Sequence, residues 1–222
     1  MKGIKLIPDI LDALEALWHN EARPPELGHA EPLDGLILTV LSQNTNDRNR
    51  DAAWKRLRDR FPSWEDVSRA APPALEDAVR PAGLAPTKAL RILEILDIIK
   101  RDFGELSIKK LKARGTDAAR EYLMALPGVG AKTAACVLLF DMELPAFPVD
   151  THVSRVCRRT GIVPEKMSAP DISLLMEKEV QPERFLGAHV NMIEHGRAVC
   201  RARSPLCGSC PLAGLCAAAR VE

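Results

Sequence analysis

The sequence predicts an all-α protein, and three observations lead to that prediction. Apolar residues recur at helical spacing through most of the chain, and no segment shows the alternation of a half-buried strand. Prolines, among them Pro81, Pro86, Pro145 and Pro164, lie where the helical patterns begin or end. The 222 residues are enough for one large domain or two small ones.

In the first half of the chain, helices are predicted from apolar residues that share one helical face. Ser63 has the type of side chain that favours a helix start, so we expect it to cap the last of them. These helices lie around Leu11–Trp18, at Leu33–Leu41, at Ala52–Phe61 and at Trp64–Ala70.

In the second half, the longest helix is expected at Thr87–Phe103, where leucine and isoleucine form a broad apolar stripe. Thr116 and Asp117 can start a helix that runs towards Leu126. Asp150 is placed to cap a further helix that carries two valines and a cysteine on one face.

The charge balance does not by itself indicate a nucleic-acid binder. The chain has 31 basic and 30 acidic residues and a net charge of +1. A nucleic-acid binder would need its basic residues gathered on one face. Four clusters of arginine and lysine are present, and each alone is typical of a solvated helix face. They lie at 48–60, 109–114, 155–159 and 197–203.

The opening segment, Met1 to Glu21, has acidic residues among its apolar positions and lacks the uninterrupted apolar core of a signal peptide. No stretch approaches the length needed to span a bilayer. We therefore expect a cytoplasmic protein, or a nuclear one in a eukaryote, without a membrane partner.

A glycine-rich turn lies between two apolar helical patterns, in Leu126-Pro127-Gly128-Val129-Gly130. Gly128 and Gly130 permit backbone angles closed to other residues and allow another backbone to approach closely. The helix that follows would present unpaired N–H groups to a phosphate, so the turn could grip a sugar–phosphate backbone. The alternative is a tight helix–helix turn with structural glycines.

Lys132 follows this turn, in the first turn of the next predicted helix. The positive end of a helix disfavours an ammonium group and favours the neutral amine that a nucleophile requires. Lys132 is therefore a candidate nucleophile. The alternative is a lysine that contacts phosphate without any chemistry.

Asp150 lies in the segment Phe147-Pro148-Val149-Asp150-Thr151-His152. From residue type alone, helix capping is the preferred role. A capped carboxylate is also rigid and ionised, so it could stabilise positive charge at a reaction centre or assist a proton transfer.

Four of the six cysteines lie near the C-terminus with the spacing C-x6-C-x2-C-x5-C, and they predict a metal site. Four thiolates can hold zinc or a [4Fe–4S] cluster, and residue type alone favours zinc slightly by frequency. The other two, Cys136 and Cys157, lie in apolar helical patterns and are expected to be buried thiols. The candidate ligands are Cys200, Cys207, Cys210 and Cys216.

Together, the glycine turn with its lysine, the Val-Asp-Thr-His segment and the four-cysteine spacing resemble endonuclease III, a family of helix-hairpin-helix DNA glycosylases. The resemblance implies that Lys132 is the nucleophile, that Asp150 assists it, and that the cysteines hold a [4Fe–4S] cluster. It implies two helical lobes, a six-helix domain at 31–144 and a cluster domain formed by 1–30 with 145–222.

The resemblance also implies a set of DNA contacts. Asn44 aligns with the family's inserted glutamine, and the adjacent Gln43 is the other candidate for entering the duplex. Leu84 would be an apolar wedge against the opposite strand. The alternatives are a polar helix end and an ordinary loop leucine. The full set of implied DNA contacts is Gln43, Asn44, Leu84, Gly128, Val129, Gly130, Thr151 and His152.

The activity implied by the resemblance is base excision repair, with oxidised pyrimidines removed from double-stranded DNA and abasic sites cut by a lyase step. The lysine and the cluster occur together here, whereas the adenine, thymine-mismatch and 8-oxoguanine branches of the superfamily usually lack one of them. We expect a monomer. The alternatives are a glycosylase for mismatches or other lesions, and a non-catalytic DNA-binding protein that carries a cluster.

Overall fold

The computed structural model describes residues 3–20, 25 and 28–219. In this part of the chain it contains helices and no β-strand, which confirms the predicted all-α class. None of the described helices is long and apolar enough to cross a membrane. The α-helices are α1 (Ile7–Leu17), α2 (Pro32–Ser42), α3 (Asp47–Arg60), α4 (Trp64–Ser68), α5 (Pro72–Val79), α6 (Ala85–Phe103), α7 (Thr116–Ala125), α8 (Ala131–Cys136), α9 (Thr151–Thr160), α10 (Ala169–Glu179) and α11 (Phe185–Ala198).

Side-chain caps explain where several helices begin. Ser63 and Asp66 form a reciprocal capping box at the start of α4, as the position of Ser63 predicted. Asp150 caps α9 by accepting a hydrogen bond from the Val153 amide at 2.8 Å. Such a cap satisfies a backbone N–H that has no partner within the helix.

The chain divides into two compact units, Gly28–Leu144 and a second unit that combines Met1–Leu27 with Pro145–Glu222. The first unit contains α2 to α8. Its core comes mainly from α2 and α6, whose apolar stripes are fully buried. These core residues are Leu33, Leu36, Ile37, Val40, Leu41, Ala89, Ile92, Ile95, Leu96 and Ile99.

In the second unit, α1 packs on α11 although the two helices are far apart in sequence. Arg184, just before α11, donates hydrogen bonds to Asp12 and Glu15 of α1 at 2.7 and 2.8 Å. The buried Asn191 of α11 exchanges two hydrogen bonds with the backbone of His19. The N-terminal segment is therefore tied to the C-terminal part of the chain by polar contacts as well as by apolar packing.

Two helical segments have features that were not predicted from the sequence. The helix expected from Ala52 begins at Asp47, because Asn46 caps it through the Asn49 amide. Its first turn is polar and gives no apolar periodicity. After α8 ends at Cys136, the chain continues directly as a π-helical turn over Val137–Asp141, a feature for which sequence spacing carries no signal.

The basic cluster on α3 is largely paired with carboxylates of its own unit. Arg50 contacts Asp47 and Asp51, and Asp77 accepts from two further arginines of this helix. These carboxylates neutralise most of the arginines on this face of α3. The pairing is consistent with the expected solvated helix face.

Candidate functional site

The glycine turn between α7 and α8, residues Leu126–Gly130, is here called the hairpin. Gly128 has a φ of +72°, and a side chain at this position would also overlap the Arg91 side chain. Gly130 differs from the expectation, because its φ of −94° is open to any residue. A Cβ on Gly130 would project into open space. The missing side chain therefore matters only for a ligand that approaches the hairpin from outside.

The hairpin presents Lys132 at the start of α8. Gly130 supplies no side-chain cap, so the first amides of α8 are available to an anion. Lys132 is exposed, whereas the four residues that follow it in α8, Thr133 to Cys136, are buried. The amine therefore stands in solvent on a helix whose other side chains are fixed by packing.

Gln43 and Asn44, the two candidates for entering a duplex, have different environments. The Gln43 amide donates to the Gly128 carbonyl at 3.0 Å and to the Thr133 hydroxyl at 3.3 Å, and it accepts from Arg91 at 3.0 Å. Asn44 is exposed and has a left-handed φ of 55°. Gln43 therefore holds the hairpin, and Asn44 projects from the chain.

Leu84 has the same two properties as Asn44. It is 59% exposed, and its φ of 49° is left-handed, an uncommon conformation for a residue other than glycine. It lies directly before α6. An exposed leucine in a strained loop matches an apolar wedge better than a loop leucine tucked under a helix.

The segment that leads to Asp150 is anchored from several sides within the second unit. Glu177 accepts from the Phe147 amide at 2.9 Å, Ser173 donates to the Phe147 carbonyl at 2.6 Å, and His189 lies 2.8 Å from the Pro148 carbonyl. Asp150 itself is half-buried. These contacts and the cap on α9 fix the direction of its carboxylate.

The neighbours of Asp150 differ from each other. Thr151 is exposed. His152 is half-buried and accepts a hydrogen bond from Arg155 at its Nδ1, with 3.0 Å between the nitrogens. Thr151 is thus the freer of the two predicted contacts.

The four C-terminal cysteines line one cavity of about 630 Å³. In the described residues, no three His, Cys, Asp or Glu side chains converge closely enough to hold a single metal ion. Burial raises the pKa of the Cys210 and Cys216 thiols, and the other thiolates raise it further. Four thiols around a space larger than one ion suit a multinuclear cationic core better than tetrahedral zinc.

The segment 200–219, here called the cluster loop, has little core of its own, since Leu212 is its one buried residue. Arginines of α9 hold it through backbone carbonyls. Arg155 donates to Cys200 at 2.9 Å, and Arg159 donates to the carbonyls of residues 201 and 202 at 2.7 and 3.1 Å. The basic cluster at 155–159 is therefore partly structural, because two of its arginines fasten this loop.

Comparison with known proteins places these features in a family. The model of the HhH-GPD superfamily of base excision DNA repair proteins matches residues 37–182. This chain belongs to that superfamily. A second family model, the iron–sulfur binding domain of endonuclease III, matches residues 200–216, the span from the first of the four cysteines to the last.

Individual relatives agree with this placement. Endonuclease III of Thermotoga maritima is 37% identical over 187 residues, which cover 84% of this chain and 83% of the relative. A putative DNA glycosylase of Arabidopsis thaliana is 34% identical over 165 residues, and the match spans only 56% of that longer protein. A solved structure of a trapped endonuclease III–DNA covalent intermediate is 32% identical and has a TM-score of 0.83, over 97% of this chain and 96% of that one.

This HhH-GPD protein is therefore an endonuclease III-like DNA glycosylase of the glycosylase/AP lyase class, and its partner is DNA. It carries a [4Fe–4S] cluster, as the iron–sulfur family model indicates. The cysteine cavity fits such a cluster, and the four thiols are the residues that would hold it. Zinc, which residue type alone slightly favoured, is not supported.

Sequence reasoning missed two side chains of α6 that organise the first unit, Lys88 and Arg91. Lys88 is 2% exposed and Arg91 lies against Gly128. A signal for Lys88 was present, because it lies four residues before the buried Ile92 and so falls on the apolar face. A lysine on a core stripe indicates a buried polar contact.

Proposed function

We propose that this glycosylase removes oxidised pyrimidines from duplex DNA and then cuts the strand, with Lys132 as nucleophile and Asp150 as its helper. The observation that carries the proposal is the exposed amine of Lys132 at the start of a packed helix, directly after a hairpin open to a phosphate. The covalent endonuclease III–DNA intermediate of a relative supports a nucleophilic route.

In the proposed reaction, the damaged nucleotide is first turned out of the duplex. The neutral amine of Lys132 attacks C1′ of the deoxyribose, and the bond from C1′ to the base breaks. The base leaves with the bonding electrons and takes up a proton. Asp150 stabilises the positive charge that develops on the sugar and assists proton transfer.

The sugar then opens to a protonated imine with Lys132. Loss of a proton from C2′ allows the C3′–O bond to break, and the phosphate of the 3′ strand leaves. This β-elimination cuts the strand 3′ to the lesion. Water finally releases the enzyme from the imine. A sugar that has already lost its base enters at the imine stage, so abasic sites are also substrates.

The DNA-contact residues have separate roles in this proposal. The hairpin residues Gly128, Val129 and Gly130 contact backbone phosphate, with the amides of Gly128 and Gly130 as the donors, because the Val129 amide already donates to the Leu126 carbonyl at 3.1 Å. Asn44 fills the space left by the flipped nucleotide, since Gln43 is already bound to the hairpin. Leu84 enters beside the opposite base. Thr151 and His152 contact the backbone near Asp150.

The cluster has a structural role in this proposal, because base removal and β-elimination need no electron transfer. When bound, it fastens a loop that buries one residue. The loop also carries Arg201 and Arg203, which are exposed and can meet phosphate.

The test is a nicking assay on matched duplexes that contain thymine glycol, an abasic site, 8-oxoguanine, a T·G mismatch or no lesion. We expect strand cleavage 3′ to thymine glycol and to the abasic site, and none on undamaged DNA. Preferred release from the mismatch or from 8-oxoguanine would replace the lesion assignment. Binding to all five duplexes without base release or cleavage would contradict catalysis and indicate a non-catalytic cluster protein.

A further inference from the structure

Lys88 is a buried cation in the first turn of α6, and no residue of the described chain forms an ion pair with it. It is 2% exposed. Its ammonium donates to two backbone carbonyls, Leu41 at 2.7 Å and Ala82 at 2.9 Å. Burial lowers its pKa, and the neighbouring Arg91 lowers it further. Burying an ammonium has a desolvation cost that an apolar residue of similar length would not have, and the two hydrogen bonds to carbonyls offset part of that cost.

The two carbonyls belong to chain ends that lead into the loops of the proposed DNA contact. Leu41 lies in the last turn of α2, where carbonyls have no partner within the helix, three residues before Asn44. Ala82 ends a short 3-10 turn, two residues before Leu84. One ammonium therefore binds both segments at the point where each leaves its helix.

Both loops have a left-handed residue at their tips. Asn44 and Leu84 have φ values of 55° and 49°. Asparagine adopts this conformation more readily than leucine, and a leucine in it persists only where the surrounding structure enforces it. The Lys88 contacts supply part of that enforcement for both tips. Leu84 is also tied to Lys88 through the backbone, since the Lys88 amide donates to the Leu84 carbonyl at 2.9 Å.

We infer that Lys88 is a positioning residue that presents Asn44 and Leu84 to the duplex as one rigid pair. This inference rests on the proposed function, because it assumes that the two loops enter DNA. Lys88 does not touch the substrate and acts only through the loops. Its loss should affect entry into the duplex more than it affects folding or binding to the phosphate backbone.

The test uses binding to a duplex that contains a tetrahydrofuran abasic analogue, which has no base to release and no lyase chemistry, with 2-aminopurine on the opposite strand. Entry of the loops unstacks the probe and raises its fluorescence. For Lys88→Met at saturating protein we expect a rise at least about fivefold smaller than for the wild type. Lys88→Arg keeps the donors and should recover at least about half of the rise.

The matched control is Ile92→Val, which removes a buried methyl group from the same helix without touching either loop. Ile92→Val should keep the full fluorescence rise of the wild type and have a thermal stability similar to that of Lys88→Met. An equal rise in Lys88→Met and the wild type would overturn the inference, as would the absence of any rise in the wild type. If Lys88→Met does not fold, Lys88→Arg decides, and a folded Lys88→Arg without the rise overturns the inference.

This readout is separate from catalysis. Loss of the rise in Lys88→Met supports the inference even if the wild type excises none of the tested lesions, and only the proposed function fails in that case. Full excision by the wild type with equal probe signals in all variants would leave the proposed function standing and reject the role of Lys88.

Discussion

In the unit Gly28–Leu144, α2 and α6 bury long stripes of leucine, isoleucine and valine, whereas the cluster loop at 200–219 buries only Leu212. The first region is held by the hydrophobic effect, at roughly 25 cal/mol for each Å² of apolar surface removed from water. The second is held by arginine hydrogen bonds to carbonyls and, in the proposed function, also by the cluster.

This difference assigns separate tasks to the two regions. The proposed nucleophile, Lys132, must stand in a fixed geometry, and the four residues that follow it in α8 are buried in the core. The cluster loop does not need its own core, because iron–sulfur ligation supplies the missing constraint. Damage to the core and loss of iron should therefore have different local consequences.

The largest expected effect is the loss of order in the cluster loop when a ligand is removed. Cys207→Ala should lose iron, as measured by metal analysis, because one of the four proposed thiolate ligands is removed. Backbone amides of 200–219 should then exchange hydrogen freely, while amides of α2 and α6 keep their protection. Hydrogen exchange with mass spectrometry measures both regions in one sample.

Cys136→Ala is the matched control, because Cys136 is a buried cysteine outside the loop. It should keep both iron and the protection of 200–219. Full protection of the loop in iron-free Cys207→Ala would show that the loop needs no cluster.

The next largest effect separates the two glycines of the hairpin. Gly128→Ala should lower the free energy of unfolding by about 1–3 kcal/mol, because φ is +72° and Arg91 occupies the space. Gly130→Ala should leave stability unchanged or raise it by up to about 1 kcal/mol, because its φ of −94° suits alanine. Urea denaturation of both variants gives the comparison.

In DNA binding we expect the opposite order, because Gly130→Ala should lose more affinity than Gly128→Ala. A methyl group on Gly130 projects towards the proposed phosphate position, and we expect about tenfold weaker binding to an abasic duplex from the loss of one charge-assisted hydrogen bond. Unchanged affinity would argue against phosphate binding at this turn.

A smaller effect distinguishes Gln43 from Asn44. Gln43→Ala should lower the free energy of unfolding by about 1 kcal/mol, because its amide bridges Arg91, Gly128 and Thr133. Asn44→Ala should lower the free energy of unfolding by about 1 kcal/mol or less, because alanine adopts a φ of 55° less readily than asparagine. It should lose about tenfold in excision rate, the effect of about 1.4 kcal/mol. If Asn44→Ala excises at the rate of the wild type, Asn44 does not enter the duplex.

The smallest expected effect is a pH dependence within the first unit. The hydrogen bond to Asp141, 3.1 Å from the His29 ring, raises the pKa of His29. Burial opposes this rise, and the smaller influences of Asp34 and Arg58 raise and lower the pKa respectively. The stabilisation is complete below about pH 6.5 and is lost as the pH rises through the raised folded-state value.

Because the His29 side chain is about one-third exposed, solvent screens the interaction, and we expect at most about 1 kcal/mol. Unfolding free energies at pH 5.5 and 8.0 should differ more in the wild type than in His29→Gln. An identical pH dependence in the two proteins would remove His29 as its source.

Much of this organisation could be predicted from the sequence. Apolar spacing located α2, α4 and α6, and the caps at Ser63 and Asp150 have the partners that their residue types predicted. The glycine turn, Lys132 and the cysteine spacing were visible because each is a contiguous motif. Their catalytic and DNA-binding roles stay predictions until the variants are measured.

Other features could not be predicted, because they depend on contacts between distant segments. Lys88 binds Leu41 across 47 residues, and Gln43 reaches Gly128 across 85. Residue type alone does not distinguish Gln43 from Asn44, since both are polar amides at a helix end. Only the backbone angles and the hydrogen-bond partners distinguish Gln43 from Asn44. The backbone angles likewise show that Gly130 has an ordinary φ.

The central claim is that the amine of Lys132 forms a covalent bond with the deoxyribose, and borohydride trapping tests it most directly. The wild type and Lys55→Ala, an exposed lysine of α3 paired with Asp59, should both give a stable protein–DNA adduct on an abasic duplex. Lys132→Ala should bind the duplex and yield at least about a thousandfold less adduct, as expected when a nucleophile is removed. An adduct from Lys132→Ala at the yield of the wild type would contradict the account.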